Sequence, residues 1–410
     1  MRAERLLATL EELAGCNATP GEGITRFSWS EADRAARRVL ERELRAIGLE
    51  PWSDGMGIFT PCLKGRTDAP ALLTGSHLDT VRHGGRYDGT YGVVASLEVL
   101  RSFHDEGFTP DCDVEFIAFA EEEGSNFGPT CLGSKGLAGE IGPEDLRALS
   151  NAEGSAYDKL RAFGLDRTAC PRNVSSRPGS ALLWRCISSR AASLKRRACP
   201  SASSPPFPGC ACTGSPCGAV PTTRPAPCRD AAIPPRASRR SPTAWRACGK
   251  TAACRRYFLH RREMACSPNV GIVVPDTVTF TIDIRHVDVS VLEEGWKRIE
   301  AMARSVAESR GLVLDLVRLS ASGGVPMAAE IGEAFRLAAG KRGVQPLFMK
   351  SGPAHDAASM GRRVPAGLLF VPSIKGLSHC PQEDTAPEHL ALGASVLEDA
   401  LRFLAGGGRP

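Results

Sequence analysis

Residues 69–80 read Ala-Pro-Ala-Leu-Leu-Thr-Gly-Ser-His-Leu-Asp-Thr, and this stretch decides the fold. Its apolar run predicts a buried strand that ends in a turn. Residues 114–120 form a second apolar run that predicts another buried strand, and residues 91–103 between them have the apolar spacing of a helix. Alternating strands and helices favour an α/β sheet, with functional residues at the carboxyl ends of its strands.

Outward from this stretch, the sequence predicts further elements of the same kinds. Apolar residues at helical spacing predict helices over 2–14, 30–47, 291–309 and 393–405. Residues 366–371 predict a short apolar strand, and the alternating run 277–284 predicts a half-buried strand.

Length and composition indicate a globular protein of two domains. A chain of 410 residues is too long for one comfortable core, and 42% hydrophobic with 24% charged residues is typical of soluble proteins. The first 15 residues lack the apolar core of a signal peptide, and no 18-residue apolar run could span a bilayer. We therefore predict a cytoplasmic protein with no membrane partner.

The composition changes abruptly between residues 171 and 260. This block holds 16 Lys and Arg against one acid, Asp230, together with 8 of the 15 cysteines and 13 of the 30 prolines. The whole chain has 51 basic and 46 acidic residues, so the block reverses the sign of an otherwise acidic protein. Three interpretations compete: a disordered insert that binds nucleic acid, a cysteine-rich metal or disulfide module, and a frameshifted segment.

Two clusters follow the first predicted strand. His77 would emerge at the carboxyl edge of the sheet, and the Asp79 carboxylate two residues on can fix its tautomer. Gly84 and Gly85 precede Asp88 and Gly89 follows it. With these glycines around it, the Asp88 carboxylate can approach two cations closely and bridge them. Taken singly, an aspartate here is more commonly a turn residue and a histidine a structural or surface residue.

Acidic residues and histidines complete the candidate site. Glu121, Glu122 and Glu123 directly follow the second buried strand, and adjacent buried acids are costly unless cations neutralise them. A solvated acidic turn is the alternative. His355 and His379 lie in glycine-containing loops near the end of the chain. Together these clusters supply the His, Asp and Glu donors of a hydrolytic dimetal site.

Five ordered motifs give a specific family resemblance. GSHLDTV, GGRYDG, AFAEEEGSNF, SGPAHDA and GLSHCPQE resemble those of the dizinc amidases that include N-carbamoyl-L-amino acid hydrolases, ureidopropionases and allantoate amidohydrolases. The resemblance covers residues 1–167 and 267–410. It implies hydrolysis of a linear amide or ureido C–N bond in a small N-carbamoyl amino acid or allantoate. A metallo-aminopeptidase or dipeptidase is the alternative enzyme, because it would share the ligand order.

The resemblance also implies a metal-ligand set. His77 matches a ligand of one metal, Asp88 matches the carboxylate that bridges both metals, and Glu123 and His379 match ligands of the other. The implied cofactors are two divalent ions. Zn is the family default, and a donor set without thiolates also suits Mn or Co.

Catalytic and substrate-binding roles follow from the same resemblance. Glu122 matches the general base that takes a proton from the metal-bridging water, so that a hydroxide can attack the carbonyl. His355 resembles a substrate-facing histidine, and Arg285 resembles an arginine that holds the substrate carboxylate.

The implied architecture is a discontinuous dimetal-peptidase-like catalytic domain with an inserted lid. The catalytic domain would comprise residues 1–205 and 322–410, and an α+β lid and dimerisation domain would comprise residues 206–321. The family arrangement is a homodimer.

Two family stretches, close to LHIEQG and ANHAG, are absent, and reverse translation favours the frameshift. Codons permitted by residues 184–191 can be read in a displaced frame as Ala-Leu-His-Ile-Glu-Gln-Gly. Codons permitted by residues 219–224 read in the same frame as Ser-Ala-Asn-His-Ala. We predict that residues 168–266 or so are frameshifted and bind no nucleic acid. One metal site would then lack a ligand, the dimer interface would be disrupted, and the chain as written would be nearly inactive.

Overall fold

The computed structural model describes residues 1–165, 187–192, 210–211, 258–286, 288–318 and 323–406. The chain divides into two compact units. Unit 1 comprises Met1–Gly214, Val325–Met349 and Ala354–Pro410, and unit 2 comprises Ser215–Gly324 and Lys350–Pro353. The predicted domain boundaries, 1–205 with 322–410 and 206–321, stay predictions. Most of the predicted frameshifted segment lies outside the described residues.

Helices and strands are mixed along the described chain. The helices are α1 (Ala3–Gly15), α2 (Glu31–Arg45), α3 (Thr90–Asp105), α4 (Leu132–Leu137), α5 (Pro143–Ala148), α6 (Ala156–Ala162), α7 (Val289–Ser309), α8 (Ala329–Lys341), α9 (Asp356–Gly361) and α10 (Pro387–Ala405). The strands are β1 (Cys62–Leu63), β2 (Leu72–His77), β3 (Val114–Phe119), β4 (Ser150–Asn151), β5 (Gly154–Ser155), β6 (Ile187–Ala192), β7 (Cys210–Ala211), β8 (Phe258–Ser267), β9 (Thr277–Arg285) and β10 (Gly367–Pro372). Among the described residues, no helix is both long and apolar enough to cross a membrane.

The sheets of unit 1 bring two strand ends together. One sheet has the order β1-β3-β2 and another has the order β6-β10-β7. Strands β2 and β3 are parallel, with His77 opposite Phe119, and every residue of both strands is buried. Their carboxyl ends therefore meet at one edge, where each is followed by acidic residues. The predicted α/β class is confirmed.

Helix α3 is the central helix of unit 1. All of its residues from Thr90 to Phe103 are buried, so it packs on every side. The Tyr91 hydroxyl donates a 2.7 Å hydrogen bond to the carbonyl of Leu390, which lies in the first turn of α10. This bond joins elements that are about 300 residues apart in sequence.

The predicted ends of the helices are close to the observed ends, with one exception. Helices α1 and α2 end within two residues of the predicted 2–14 and 30–47. Helix α10 begins at Pro387 instead of the predicted residue 393. Proline is favoured in the first helical turn because its missing N–H has no partner there anyway.

Unit 2 contains the antiparallel pair β8–β9 and helix α7. The predicted strand over 277–284 is present, but its half-burial is wrong for residues 277–280. Val278 is 46% and Phe280 is 42% exposed. Among the described residues β9 pairs only with β8, so two-residue alternation alone did not decide which face is covered.

Replacing Tyr91 tests the junction between α3 and α10. Tyr91→Phe removes a buried donor and leaves the Leu390 carbonyl without that bond, so the free energy of unfolding should fall by about 1–3 kcal/mol. Urea denaturation measures this loss. Tyr157→Phe is the control, since Tyr157 is only half-buried in α6. An equal loss in both variants would contradict the role given to this bond.

Candidate metal centre

The His77 imidazole is fixed on two sides. It is 3% exposed at the end of β2, and its Nδ1 lies 2.9 Å from the backbone carbonyl of Asp79. Gly89 has a φ of 67°, and a Cβ there would lie 2.3–2.5 Å from three atoms of the His77 ring. Only glycine allows this close approach. The contacts leave Nε2 of His77 facing Asp88 and Glu122.

Asp79 supports the site differently from the prediction. Its carboxylate accepts the N–H groups of Glu122 and Glu123, each at 3.1 Å, and lies 3.8 Å from Nδ1 of His77. The backbone carbonyl of Asp79 therefore makes the contact that fixes the tautomer. Its carboxylate holds the turn formed by residues 121–123, which we call the glutamate turn. Burial raises the pKa of Asp79 to about 6.

The first of the three adjacent glutamates, Glu121, makes hydrogen bonds to residues outside the glutamate turn. Glu121 has a φ of 56°; its N–H donates to Ser28 Oγ at 2.6 Å and its Oε1 accepts the Asn126 N–H at 3.1 Å. Burial and the charge of Asp79 raise the pKa of Glu121 to about 8. Glu121 and Glu122 are 1% and 2% exposed, which excludes a fully solvated acidic turn.

Asp88 lies between two imidazoles. Its Oδ1 is 3.7 Å from Nε2 of His77, and its Oδ2 is 2.9 Å from Nε2 of His379. Oε1 of Glu123 is 3.1 Å from the same nitrogen of His379. Ligand atoms of His77, Asp88 and Glu123 also lie within 4.8 Å of one another. The four predicted ligands therefore converge around one carboxylate.

These residues fit divalent cations. Ligands about 2.0–2.2 Å from a tetrahedral zinc lie about 3.4 Å from one another, which is close to the separations here. Burial alone would lower the pKa of His77, but the facing carboxylates of Glu122 and Asp88 raise it well above its usual value. The cluster therefore has a strong negative potential, as a cation site requires.

Glu122 lies between two histidines beside this cluster. Its Oε2 is 3.8 Å from Nε2 of His77, and its Oε1 is 3.7 Å from Nδ1 of His355. The His355 side chain is buried beside the Phe370 ring, with centroids 5.7 Å apart. Glu122 therefore lies beside the predicted ligand His77, and His355 lies beside Glu122.

Arg285 is the residue that the family resemblance assigns to the substrate carboxylate. It is the last residue of β9, in unit 2, and its side chain lies outside the described part of the structure. Its predicted contact with a substrate carboxylate stays a prediction.

Sequence reasoning missed two buried acids at this site. Oε1 of Glu383 accepts the N–H groups of Tyr87 and Asp88, each at 2.9 Å. Asp356 is 3% exposed, and burial together with the charge of Glu122 raises its pKa well above the usual value. Both occur inside quoted motifs, GLSHCPQE and SGPAHDA, so an acid within four residues of a predicted histidine was the available signal.

Known proteins resemble this chain in sequence and in fold. The sequence profile of Peptidase family M20/M25/M40 matches residues 73–402. The N-carbamoyl-L-amino acid amidohydrolase of Geobacillus stearothermophilus is 29% identical, over 99% of this chain and 100% of its own length. The allantoate amidohydrolase of Escherichia coli K12 is also 29% identical, over 97% of both chains. The crystal structure of a hydantoinase/carbamoylase family amidase from Burkholderia vietnamiensis has a TM-score of 0.80 at 26% identity, over 98% of this chain and 97% of that one.

Asp79→Asn tests the support of the glutamate turn. The amide offers one acceptor where the carboxylate offers two, so one of the two N–H groups loses its partner. We expect the affinity for Zn to fall about 10–100-fold, measured by competition with a chromophoric chelator.

Asp54→Asn makes the same change outside the cluster. Asp54 accepts the N–H groups of Met56 and Ile58 through a single oxygen, which asparagine retains. Unchanged zinc affinity in Asp79→Asn, or an equal loss in Asp54→Asn, would refute this role of Asp79.

Proposed function

The chain belongs to peptidase family M20/M25/M40, and from this premise we propose that it is a metal-dependent amidohydrolase. The proposed reaction is cleavage of a linear ureido or amide C–N bond in an N-carbamoyl amino acid or allantoate. The names of the relatives from Geobacillus stearothermophilus and Escherichia coli support this substrate class.

One observation carries the proposal: each carboxylate oxygen of Asp88 faces a different imidazole. Oδ1 faces His77 and Oδ2 faces His379, at 3.7 and 2.9 Å. A carboxylate placed in this way suits the bridging ligand of two cations. His77 and Asp88 would hold one ion, while Asp88, Glu123 and His379 would hold the other.

When bound, the two cations supply Lewis acidity, which polarises a carbonyl and makes water a nucleophile near neutral pH. Zn is the proposed metal, and Mn or Co suits the same donors. Glu122 is the proposed general base, with its two carboxylate oxygens 3.7–3.8 Å from the nearer nitrogens of His355 and His77. His355, beside Glu122, is the proposed contact to the substrate, and Arg285 the proposed partner of its carboxylate.

The two proposed metal sites are unequal in this chain. Strand β2 ends at His77. Residues 187–192 form β6, which lies alongside β2. This is the stretch that reads His-Ile-Glu-Gln-Gly in the displaced frame. The proximity supports placing the missing family ligand next to His77, so the His77 ion would be the weaker one.

The remaining sequence-based predictions are part of this proposal. We propose that the catalytic and lid domains have the predicted boundaries, and that the frame-restored protein is a cytoplasmic homodimer. The chain as written should be nearly inactive, because it lacks both a metal ligand and the lid stretch close to ANHAG.

An assay of this chain and a frame-restored version tests the proposed reaction. With added Zn or Mn, the restored version should hydrolyse N-carbamoyl amino acids or allantoate. Glu122→Gln in that version should lower kcat by about 10²–10⁴ and leave its metal content unchanged, because Glu122 moves a proton and is not a ligand.

The assay also separates the alternatives. Hydrolysis of dipeptides in place of ureido compounds would favour the aminopeptidase or dipeptidase function. Comparable turnover from the literal and restored chains would show that residues 168–266 are a tolerated insert and would contradict the predicted inactivity. Loss of metal from the Glu122→Gln variant would indicate that Glu122 is a metal ligand and not the general base.

A further inference from the structure

We propose that Glu383 is a positioning residue that joins the two loops carrying Asp88 and His379. The inference rests on the proposed function, because it treats these two residues as metal ligands. Glu383 itself would not touch the metal or the substrate. It would set the distance between Asp88 and His379 before any ion binds.

The first support is the set of contacts at one carboxylate oxygen. Glu383 is 3% exposed, and its Oε1 accepts the backbone N–H groups of both Tyr87 and Asp88 at 2.9 Å. These partners are more than 290 residues away in sequence. A buried carboxylate that accepts two N–H groups is strongly oriented, so it fixes the backbone at Asp88.

The second support is a side-chain route from Glu383 to the same aspartate. Oγ of Ser378 lies 2.9 Å from Oε2 of Glu383 and 3.0 Å from Oδ2 of Asp88. Oδ2 is also the oxygen that faces His379, the residue after Ser378. Glu383 therefore contacts the backbone N–H of Asp88 directly, and it contacts Oδ2 of Asp88 through Ser378.

The third support is the space that Gly85 leaves. A Cβ on Gly85 would lie 2.3 Å from Cδ and 2.4 Å from Cβ of Glu383. Real Cβ atoms do not approach other heavy atoms so closely, so any larger residue would displace the Glu383 side chain. A substitution at Gly85 would thus displace the Glu383 side chain and keep its charge.

A purely structural role makes a different prediction from a positioning role. If Glu383 only satisfies loop N–H groups, its loss lowers stability but leaves the metal affinity of the folded protein unchanged. If it sets the ligand geometry, metal affinity falls even under conditions where the protein is fully folded. Partners of metal ligands commonly contribute about 10–100-fold in affinity.

The first experiment needs no metal. Hydrogen exchange is measured by mass spectrometry on the metal-free chain, using a peptide that spans Tyr87 and Asp88. In Glu383→Ala, exchange there should be faster by about tenfold or more, because both N–H groups lose their acceptor. Glu383→Gln keeps an acceptor oxygen for these N–H groups and an NH₂ donor for Ser378, so it should resemble the wild type.

Glu98→Ala is the matched control. Glu98 is another buried carboxylate that accepts a backbone N–H, from Arg2, together with side-chain donors of Arg5. It should alter exchange near its own partners and leave the peptide at Tyr87 and Asp88 unchanged. Faster exchange at Asp88 in Glu98→Ala to the same extent would overturn the inference.

The second experiment measures zinc affinity by competition with a chelator, at a temperature where thermal unfolding shows each variant to be folded. Glu383→Ala should bind the tighter zinc about 10–100-fold more weakly, and Glu383→Gln should stay close to the wild type. Gly85→Ala should weaken zinc binding with Glu383 intact, and it carries the test if Glu383→Ala does not fold. Gly15→Ala is its control, since a Cβ there meets nothing within 4 Å.

The two experiments distinguish failure of the inference from failure of the proposed function. Wild-type zinc affinity in Glu383→Ala, or equal weakening in the Ala and Gln variants, would overturn the positioning role. Unchanged exchange at Tyr87 and Asp88 in Glu383→Ala would also overturn it. If the wild type binds no zinc but exchange at Tyr87 and Asp88 is faster in Glu383→Ala, the proposed metal centre is refuted. The contact between Glu383 and the loop of Asp88 is then still supported.

Discussion

Carboxylates that are buried side by side repel one another, and the candidate site is organised by this repulsion. Asp79, Asp88, Glu122 and Glu123 meet where β2 and β3 end together. Burial without compensation would drive such groups toward their neutral forms. Two N–H groups stabilise Asp79, and two imidazoles face Asp88. The rest of the negative charge matches the divalent cations that we propose.

Close packing against glycine gives this arrangement its geometry. The loop between β2 and α3 is contacted by His77 at Gly89 and by Glu383 at Gly85. Asp88 lies between these two glycines in sequence, so contacts on both sides restrict its position. A side chain at either glycine would collide with a residue of the site. The ligand geometry thus depends on space as much as on charge.

Much of the fold could be predicted because its signals are local. Strands β2 and β3 are apolar throughout, and parallel pairing brings their carboxyl ends to one edge, so the placement of His77 and Glu122 could be predicted from sequence. Contacts of Glu383 with Tyr87 could not be predicted, since they join segments 296 residues apart. The role of the Asp79 carbonyl depends on backbone orientation, which residue type does not encode. Exposure of Phe280 was missed because an alternating pattern does not identify what covers a strand.

We propose that Asp88 bridges two cations, one on each carboxylate oxygen. Anomalous diffraction at the zinc edge, from crystals grown with zinc, tests it most directly. A strong peak is expected within bonding distance of Asp88 Oδ2, Glu123 and His379, with a weaker peak between Asp88 Oδ1 and His77. Zinc bound elsewhere, with no peak within bonding distance of either Asp88 oxygen, would contradict it.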